Sequence, residues 1–226
     1  MPFYKAFLTK FPTVQALAKA SLGEVLLSWQ GLGYNRRAKM LHEAAKRVVE
    51  EYKGKMPTNP EQLEALPGVG PYTARAVVAF ATNQPVVFVE TNLRTVVTHH
   101  FFPGEGRVSD VEVLSILEKV LPKATPERGS REWYAALMDY GSYLKRSGVR
   151  VNARASTYTK QKAFNGSARQ ARGAILKALS TGSKSSEQLA NLLGPDRTEQ
   201  MTLQLQALLK EGFIELTSKS RYQLPS

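Results

Sequence analysis

Cysteine is absent from the 226-residue sequence. That absence excludes disulfides, thiol nucleophiles and any zinc or iron–sulfur centre held by thiolates. Histidine is scarce as well: His42, His99 and His100 are the only imidazoles. Their spacing matches no metal-binding motif, so they read as structural residues and no metal site is expected. The sequence also lacks an apolar run near the roughly 20 residues of a membrane-spanning helix. Met1-Pro2-Phe3-Tyr4-Lys5 is followed by no apolar segment with a small-residue cleavage site. Neither a membrane partner nor secretion is expected, and the default location is the cytoplasm, or the nucleoid of a prokaryote.

Acidic residues are missing from one long stretch. The formal net charge is +12. Residues 1–139 carry seventeen basic and fourteen acidic side chains, and residues 187–226 carry four and five. Between Tyr140 and Ser186 stand Lys145, Arg146, Arg150, Arg154, Lys160, Lys162, Arg169, Arg172, Lys177 and Lys184, with no acid among them. A cation excess so concentrated attracts polyanions, and a phosphate-tracking stretch is the favoured reading, with a solvated connector as the alternative. Tyr143, Tyr158 and Phe164 punctuate the stretch, but no strand pattern fixes them as base-stacking residues.

At this length one full domain and a smaller one are expected. Alternating strand patterns are absent from the first 140 residues, which read as helices joined by Gly/Pro turns. Leu17, Leu22, Val25, Leu26 and Trp29 form an apolar stripe that stops at Gln30-Gly31-Leu32-Gly33-Tyr34, and Leu41, Ala44, Ala45, Val48 and Val49 resume helical spacing. Ser109 and Glu112 have capping-box spacing, Leu114, Leu117 and Leu121 continue that helix, and Pro122 ends it. Trp133, Leu137, Tyr140 and Leu144 predict a further buried helix. Beyond Ser167 the pattern is three short helices and a hairpin, Phe213-Ile214-Glu215-Leu216 and Arg221-Tyr222-Gln223-Leu224 around Thr217 to Ser220, which is the order of a winged helix. Such domains bind DNA or partners equally readily, and the expected recognition helix, about Thr198 to Lys210, is only weakly basic, which disfavours direct base reading by it.

The most informative stretch is Leu66-Pro67-Gly68-Val69-Gly70-Pro71-Tyr72-Thr73-Ala74, where two helices meet at a glycine-rich bend. Gly68 and Gly70 permit positive backbone dihedrals and leave main-chain N–H groups uncovered, and the helix starting near Tyr72 points its positive dipole end at the same place. That combination suits a phosphate. Val69 between them is expected to anchor the bend in the core. A plain helix-turn-helix corner is the competing reading.

This bend resembles the hairpin of the endonuclease III and adenine-mismatch glycosylase superfamily. Trp29-Gln30-Gly31-Leu32-Gly33-Tyr34-Asn35-Arg36-Arg37-Ala38 is similar to the turn of the adenine glycosylases, Phe11-Pro12-Thr13-Val14 precedes it at a matching interval, and Met138-Asp139-Tyr140-Gly141 is similar to the helix leading into the cluster-binding tail. Together these cover roughly residues 3–145. Bifunctional lyases of the superfamily carry Lys two residues after the second hairpin glycine. Here Tyr72 stands there, which implies a monofunctional glycosylase without Schiff-base chemistry, with Tyr72 lining the base pocket. The family's catalytic Asp corresponds to Glu90 in Val89-Glu90-Thr91-Asn92-Leu93-Arg94, with Asn92 and Arg94 on further family positions. The exchange keeps the charge and adds one methylene. Glu90 is also placed to receive N–H groups at a helix start near Asn92.

Two departures accompany the resemblance. The four cysteines that would hold an iron–sulfur cluster should begin near Lys145 and none is present, so no such cofactor is expected and the basic stretch takes over DNA contacts. The helix that supplies a base-protonating Glu and a duplex-opening Gln belongs ahead of Phe11-Pro12-Thr13-Val14, and Met1-Pro2-Phe3-Tyr4 looks like the interior of a longer reading frame. The fold expected is mainly α: a helix-hairpin-helix glycosylase-like domain over 1–145, a basic connector over 146–167 and a winged-helix domain over 168–226. The implied activity is base-excision repair of adenine opposite guanine or oxidised guanine. The partner is duplex DNA holding mismatched or damaged bases, and protein partners are left to the winged helix. DNA contacts are expected from Gly68, Val69, Gly70, Thr73, Asn92, Arg94, Tyr34, Arg36, Arg37, Lys145, Arg146, Arg150 and Arg154. A catalytically silent DNA-binding protein and a thymine-mismatch glycosylase are the rival readings.

Overall fold

Hydroxyl residues at helix-start positions cut the beginning of the chain into short helices. The computed structural model describes residues 2–104, 106–122, 129–159 and 163–226, so Lys160 and Lys162 of the acid-free stretch lie outside the described residues. It opens with α1 (Pro2–Lys10), α2 (Val14–Lys19), α3 (Leu22–Ser28) and α4 (Arg36–Tyr52). The apolar stripe Leu17–Trp29 is thereby divided between α2 and α3. The break falls where Ser21 accepts from the Glu24 N–H at 3.2 Å and Glu24 accepts from the Ser21 N–H at 2.9 Å, a capping box that starts a new helix. Gly31 and Gly33 both adopt positive φ and make the turn into α4.

Residues 57–160 form one compact unit. It comprises α5 (Pro60–Glu64), α6 (Pro71–Val77) running into a π turn at Val78–Thr82, α7 (Thr91–Phe101), α8 (Asp110–Val120), α9 (Ser130–Arg146) and a short 3-10 turn at Val151–Arg154. Its core gathers Phe88, Leu93, Val97, Val113, Leu117 and Tyr134. The capping box expected at Ser109 and Glu112 is formed and starts α8. The chain after α9 is fastened to this unit: the Val108 N–H donates to the Arg154 carbonyl at 3.0 Å, and the Ser156 N–H to the Val108 carbonyl at 3.1 Å.

The second unit is built from both ends of the chain, residues 1–56 and 161–226. Its late part contains α10 (Ala168–Leu179), α11 (Ser186–Ala190), α12 (Thr198–Lys210) and the antiparallel strands β1 (Glu215–Leu216) and β2 (Tyr222–Gln223), paired Glu215 with Gln223 and Leu216 with Tyr222. The strands are shorter than the sequence suggests: Phe213 and Ile214 are buried but lie outside the paired residues, as do Arg221 and Leu224. Leu17, Val25, Leu26, Ala38 and Ala45 share one core with Ile175, Leu176, Leu189, Met201, Leu205 and Leu208. The compact units therefore do not follow the contiguous division at 145 and 167 read from the sequence. The early helices bury their apolar faces on the late ones, and the Gly23 N–H donates to the Pro225 carbonyl at 2.9 Å. His42 is buried here, bonded through Nε2 to the Ala20 carbonyl at 2.9 Å. Among the described residues no helix is long and apolar enough to cross a membrane.

Candidate functional site

The hairpin bend joins α5 to α6. Leu63 and Leu66 are buried beneath it, and Arg75 Nη1 donates to Glu64 Oε1 at 2.7 Å, tying the two helices together. Gly68 adopts φ +73°, a left-handed conformation costly to residues with a side chain. Gly70 does not share it: its φ is −95° and ψ 176°, an extended start to α6. A Cβ on Gly70 would meet nothing within 4 Å. The positive dihedral expected of both glycines thus belongs to Gly68 alone. Val69 is half-buried, and the anchoring expected of it is done by Leu63 and Leu66. No side chain caps the start of α6, so its first N–H groups are left to outside acceptors. Gly68 and Gly70 are exposed there, and Thr73 is half-buried.

Tyr72 stands on the first turn of α6 and packs against Phe88, two residues before Glu90. Its ring lies 5.7 Å from that of Phe88, and its hydroxyl pKa is raised, first by burial and then by the Glu90 charge. Glu90 is the N-cap of α7: Oε1 accepts from the Leu93 N–H at 2.8 Å and Oε2 from Asn92 Nδ2 at 3.2 Å. The helix-start role is therefore real, and it fixes the carboxylate instead of using it up, since each carboxylate oxygen can accept more than one hydrogen bond. Arg94 turns to Asp110, pairing at 2.8 Å and joining α7 to α8.

Several residues that no local pattern marked hold this corner in place. The Tyr134 hydroxyl donates to the Val86 carbonyl at 2.8 Å, and its ring stacks on Phe88 at 4.2 Å. Burial pushes the Tyr134 pKa up to about 12. Ser130 Oγ donates to the Gln84 carbonyl at 2.6 Å, and the Arg131 N–H to Asn83 Oδ1 at 3.0 Å. The start of α9 thus grips the extended segment that ends at Glu90. Gly141, further along α9, lies against the first turn of α7, where a Cβ would come within 2.7 Å of the Asn92 carbonyl carbon. A glycine inside a helical pattern was the one sequence signal for that close approach.

The basic residues differ in what they are free to do. Arg146 is exposed, and its Nη1 donates to Ser142 Oγ at 3.2 Å; Lys145 is partly exposed. Arg150 is exposed and donates to the Lys145 carbonyl at 2.7 Å. Arg154 is spent inside its unit: Nε donates to the Gly106 carbonyl at 2.8 Å and Nη1 to the Phe102 carbonyl at 3.0 Å. In the other unit Tyr34 is exposed with φ 49°, the Arg37 guanidinium lies 5.6 Å from the Trp29 ring, and Arg36 lines a shallow hollow with Lys39, Met40, Glu211 and Phe213. The donor set after α9 does not fit a four-thiolate iron–sulfur cluster, because no thiolate exists in the sequence and this segment is bonded to its unit through Asn152 and Arg154.

Comparison with known proteins matches residues 1–123 to the family described as HhH-GPD superfamily base excision DNA repair protein. An adenine DNA glycosylase of Mycolicibacterium smegmatis is 33% identical over 240 residues, spanning 99% of this chain and 80% of that protein. One of Mycobacterium tuberculosis is 40% identical over 133 residues, 59% of this chain and 43% of that protein. Among solved structures, a thermostable thymine-DNA glycosylase aligns with a TM-score of 0.54 at 26% identity, over 62% of this chain and 64% of the other. The matched family, the relative that aligns along nearly the whole chain, and the hairpin and Glu90 corner lead to one conclusion: the chain belongs to the HhH-GPD superfamily of base excision DNA repair proteins.

Proposed function

We propose that the chain is a monofunctional DNA N-glycosylase that releases adenine mispaired with guanine or oxidised guanine. The observation that carries this reading is the Glu90 carboxylate held by the Leu93 N–H and Asn92 at the start of α7, with Tyr72 packed on Phe88 two residues before it. Its similarity to adenine DNA glycosylases supports the choice of base. The duplex is gripped through phosphates at the hairpin, where Gly68 turns the chain and Gly70 keeps the surface bare, and the target base is turned out of the stack.

As the bond from sugar C1′ to the base breaks, its electron pair leaves with adenine and positive charge develops on the sugar. Glu90 lies where a fixed negative charge lowers the energy of that cation. Water then adds its oxygen to C1′, one of its protons ends on the released base, and the strand stays intact. Tyr72, at the position of the lyases' Lys, lines the pocket as a neutral phenol and forms no covalent intermediate. Glu90 carries one methylene more than an Asp, and its Oε1 accepts from the Leu93 N–H at 2.8 Å.

The test is single-turnover release from a duplex containing adenine opposite oxidised guanine, using as parent the chain completed with a front helix that carries the base-protonating Glu, and Glu90→Gln in the same completed protein. The parent releases adenine, and the variant loses about 100-fold or more while its DNA affinity is unchanged. Equal rates in the two would remove Glu90 from the mechanism. A parent that releases neither adenine nor, in a parallel thymine-mismatch duplex, thymine would instead establish a silent DNA-binding protein.

A further inference from the structure

The hydrogen bonds around α7 extend beyond Glu90 into the segment that follows α9. Thr95 is fully buried one turn along α7, and its hydroxyl donates to the Thr91 carbonyl at 2.8 Å. Thr91 directly follows Glu90. The same hydroxyl accepts from Asn152 Nδ2 at 2.8 Å. A two-step relay therefore runs from the 3-10 turn at Val151–Arg154 to the carbonyl next to Glu90. At the other end of α7, Arg154 Nη1 donates to the Phe102 carbonyl at the helix C-cap, while its Nε holds the Gly106 carbonyl.

We propose that Asn152 and Arg154 are positioning residues for Glu90: together they fix α7 along its axis and in rotation, and so fix where the carboxylate sits. The proposal rests on the reading of Glu90 given above. Three observations carry it. Asn152 bonds Thr95 one turn into α7 and Arg154 bonds the carbonyl at its C-cap, so a slide or a turn of α7 strains both bonds. The relay ends one residue from the N-cap, where a small rotation moves the carboxylate most. Asn152 Nδ2 donates to a hydroxyl that is itself fully buried, so the segment after α9 is tied to the inner face of α7 across 57 residues of chain. The stretch read from the sequence as a phosphate track is, at Asn152 and Arg154, turned inward onto the catalytic helix.

The test compares the parent with Asn152→Ala, Arg154→Gln, Thr95→Val, Thr95→Ser and the double variant Asn152→Ala/Thr95→Val, all in the full chain. The first readout is amide hydrogen exchange at Leu93, whose N–H is bonded to Glu90. Exchange at Leu93 rises about tenfold in Asn152→Ala, Arg154→Gln and Thr95→Val, while amides of α8 and α12 keep parent rates. The double variant is no worse than Thr95→Val, and Thr95→Ser, which keeps the hydroxyl, matches the parent. Unchanged exchange at Leu93, or an equal rise throughout residues 57–160, overturns the proposal. The second readout is the single-turnover rate, which falls about tenfold in Asn152→Ala with DNA affinity retained. If Glu90→Gln abolishes release while Asn152→Ala keeps the parent rate, positioning is overturned although the catalytic reading stands. If Glu90→Gln releases base as fast as the parent, the catalytic reading fails, and exchange at Leu93 still decides whether Asn152 holds the helix.

Discussion

At the hairpin bend the surface is main chain: two exposed glycines, an α6 start without a side-chain cap, and buried leucines below. At the start of α7 the chain is held by side chains that other elements supply. Tyr134 and Ser130 reach in from α9 and Asn152 from beyond it, and Gly141 lets α7 come close. The difference follows from the ligands proposed for the two places. A phosphate presents charge in all directions and is met by backbone N–H groups that any stable corner supplies. A cation forming at one sugar carbon is met only by a carboxylate placed to within about an ångström.

The largest expected effect comes from breaking the crowded corner. Gly141→Ala places a Cβ against the Asn92 carbonyl, so base release should fall about 100-fold and stability by about 1–3 kcal/mol. Single-turnover rates and urea unfolding measure the two, and a parent-like rate would mean that α7 tolerates displacement. The bare bend should respond differently. Gly70→Asp has the room and the φ it needs, so stability should change by no more than about 0.5 kcal/mol. DNA affinity should nevertheless drop about tenfold for every sequence, because a fixed negative charge faces the phosphate. Undiminished binding by this variant would reduce the bend to packing. Lys145→Ala with Arg146→Ala should lower the slope of log affinity against log salt by about one unit for each phosphate no longer neutralised. A slope equal to the parent's would show these cations solvated.

The smallest effect tests how the corner is held. Tyr134→Phe should cost about 1 kcal/mol at neutral pH, the net value of one buried hydrogen bond. The hydroxyl of folded Tyr134 keeps its proton up to about 12, whereas an unfolded tyrosine loses it near 10. Between those values the unfolded state binds fewer protons, so stability falls as pH rises, and Tyr134→Phe should flatten that part of the profile. An alkaline slope identical in both proteins would put its origin elsewhere.

Much of this was legible in the residues. Ser109 and Glu112 announced α8, and the glycines between Pro67 and Pro71 announced the bend. Thr198 to Lys210 is the span of α12. Ser21 and Glu24 carry the same capping spacing as Ser109 and Glu112, and that spacing is enough to divide the Leu17–Trp29 stripe. Tyr72 and Glu90 were singled out through family resemblance, and in the structure the Glu90 charge adds to burial in raising the Tyr72 pKa. Asn152, Thr95, Tyr134 and Ser130 were not found, because each acts across 46 to 57 residues of chain. Such long-range bonds leave no periodicity. The acid-free stretch shows the limit of charge counting: Arg146 and Arg154 look alike in sequence, yet one is exposed and the other is bonded to two carbonyls.

The unit made from residues 1–56 and 161–226 has a consequence for how the protein is born. When the first four helices leave the ribosome, the surfaces that will cover Leu17, Val25 and Leu26 have not yet been translated. Residues 57–160 emerge next as a contiguous stretch with its own core, and can close before the rest arrives. The early helices must therefore wait, apolar faces uncovered, for the last segment to be synthesised. A nascent chain stalled just after residue 160 would carry one finished half and one sticky half, and holdase chaperones would be drawn to residues 1–56.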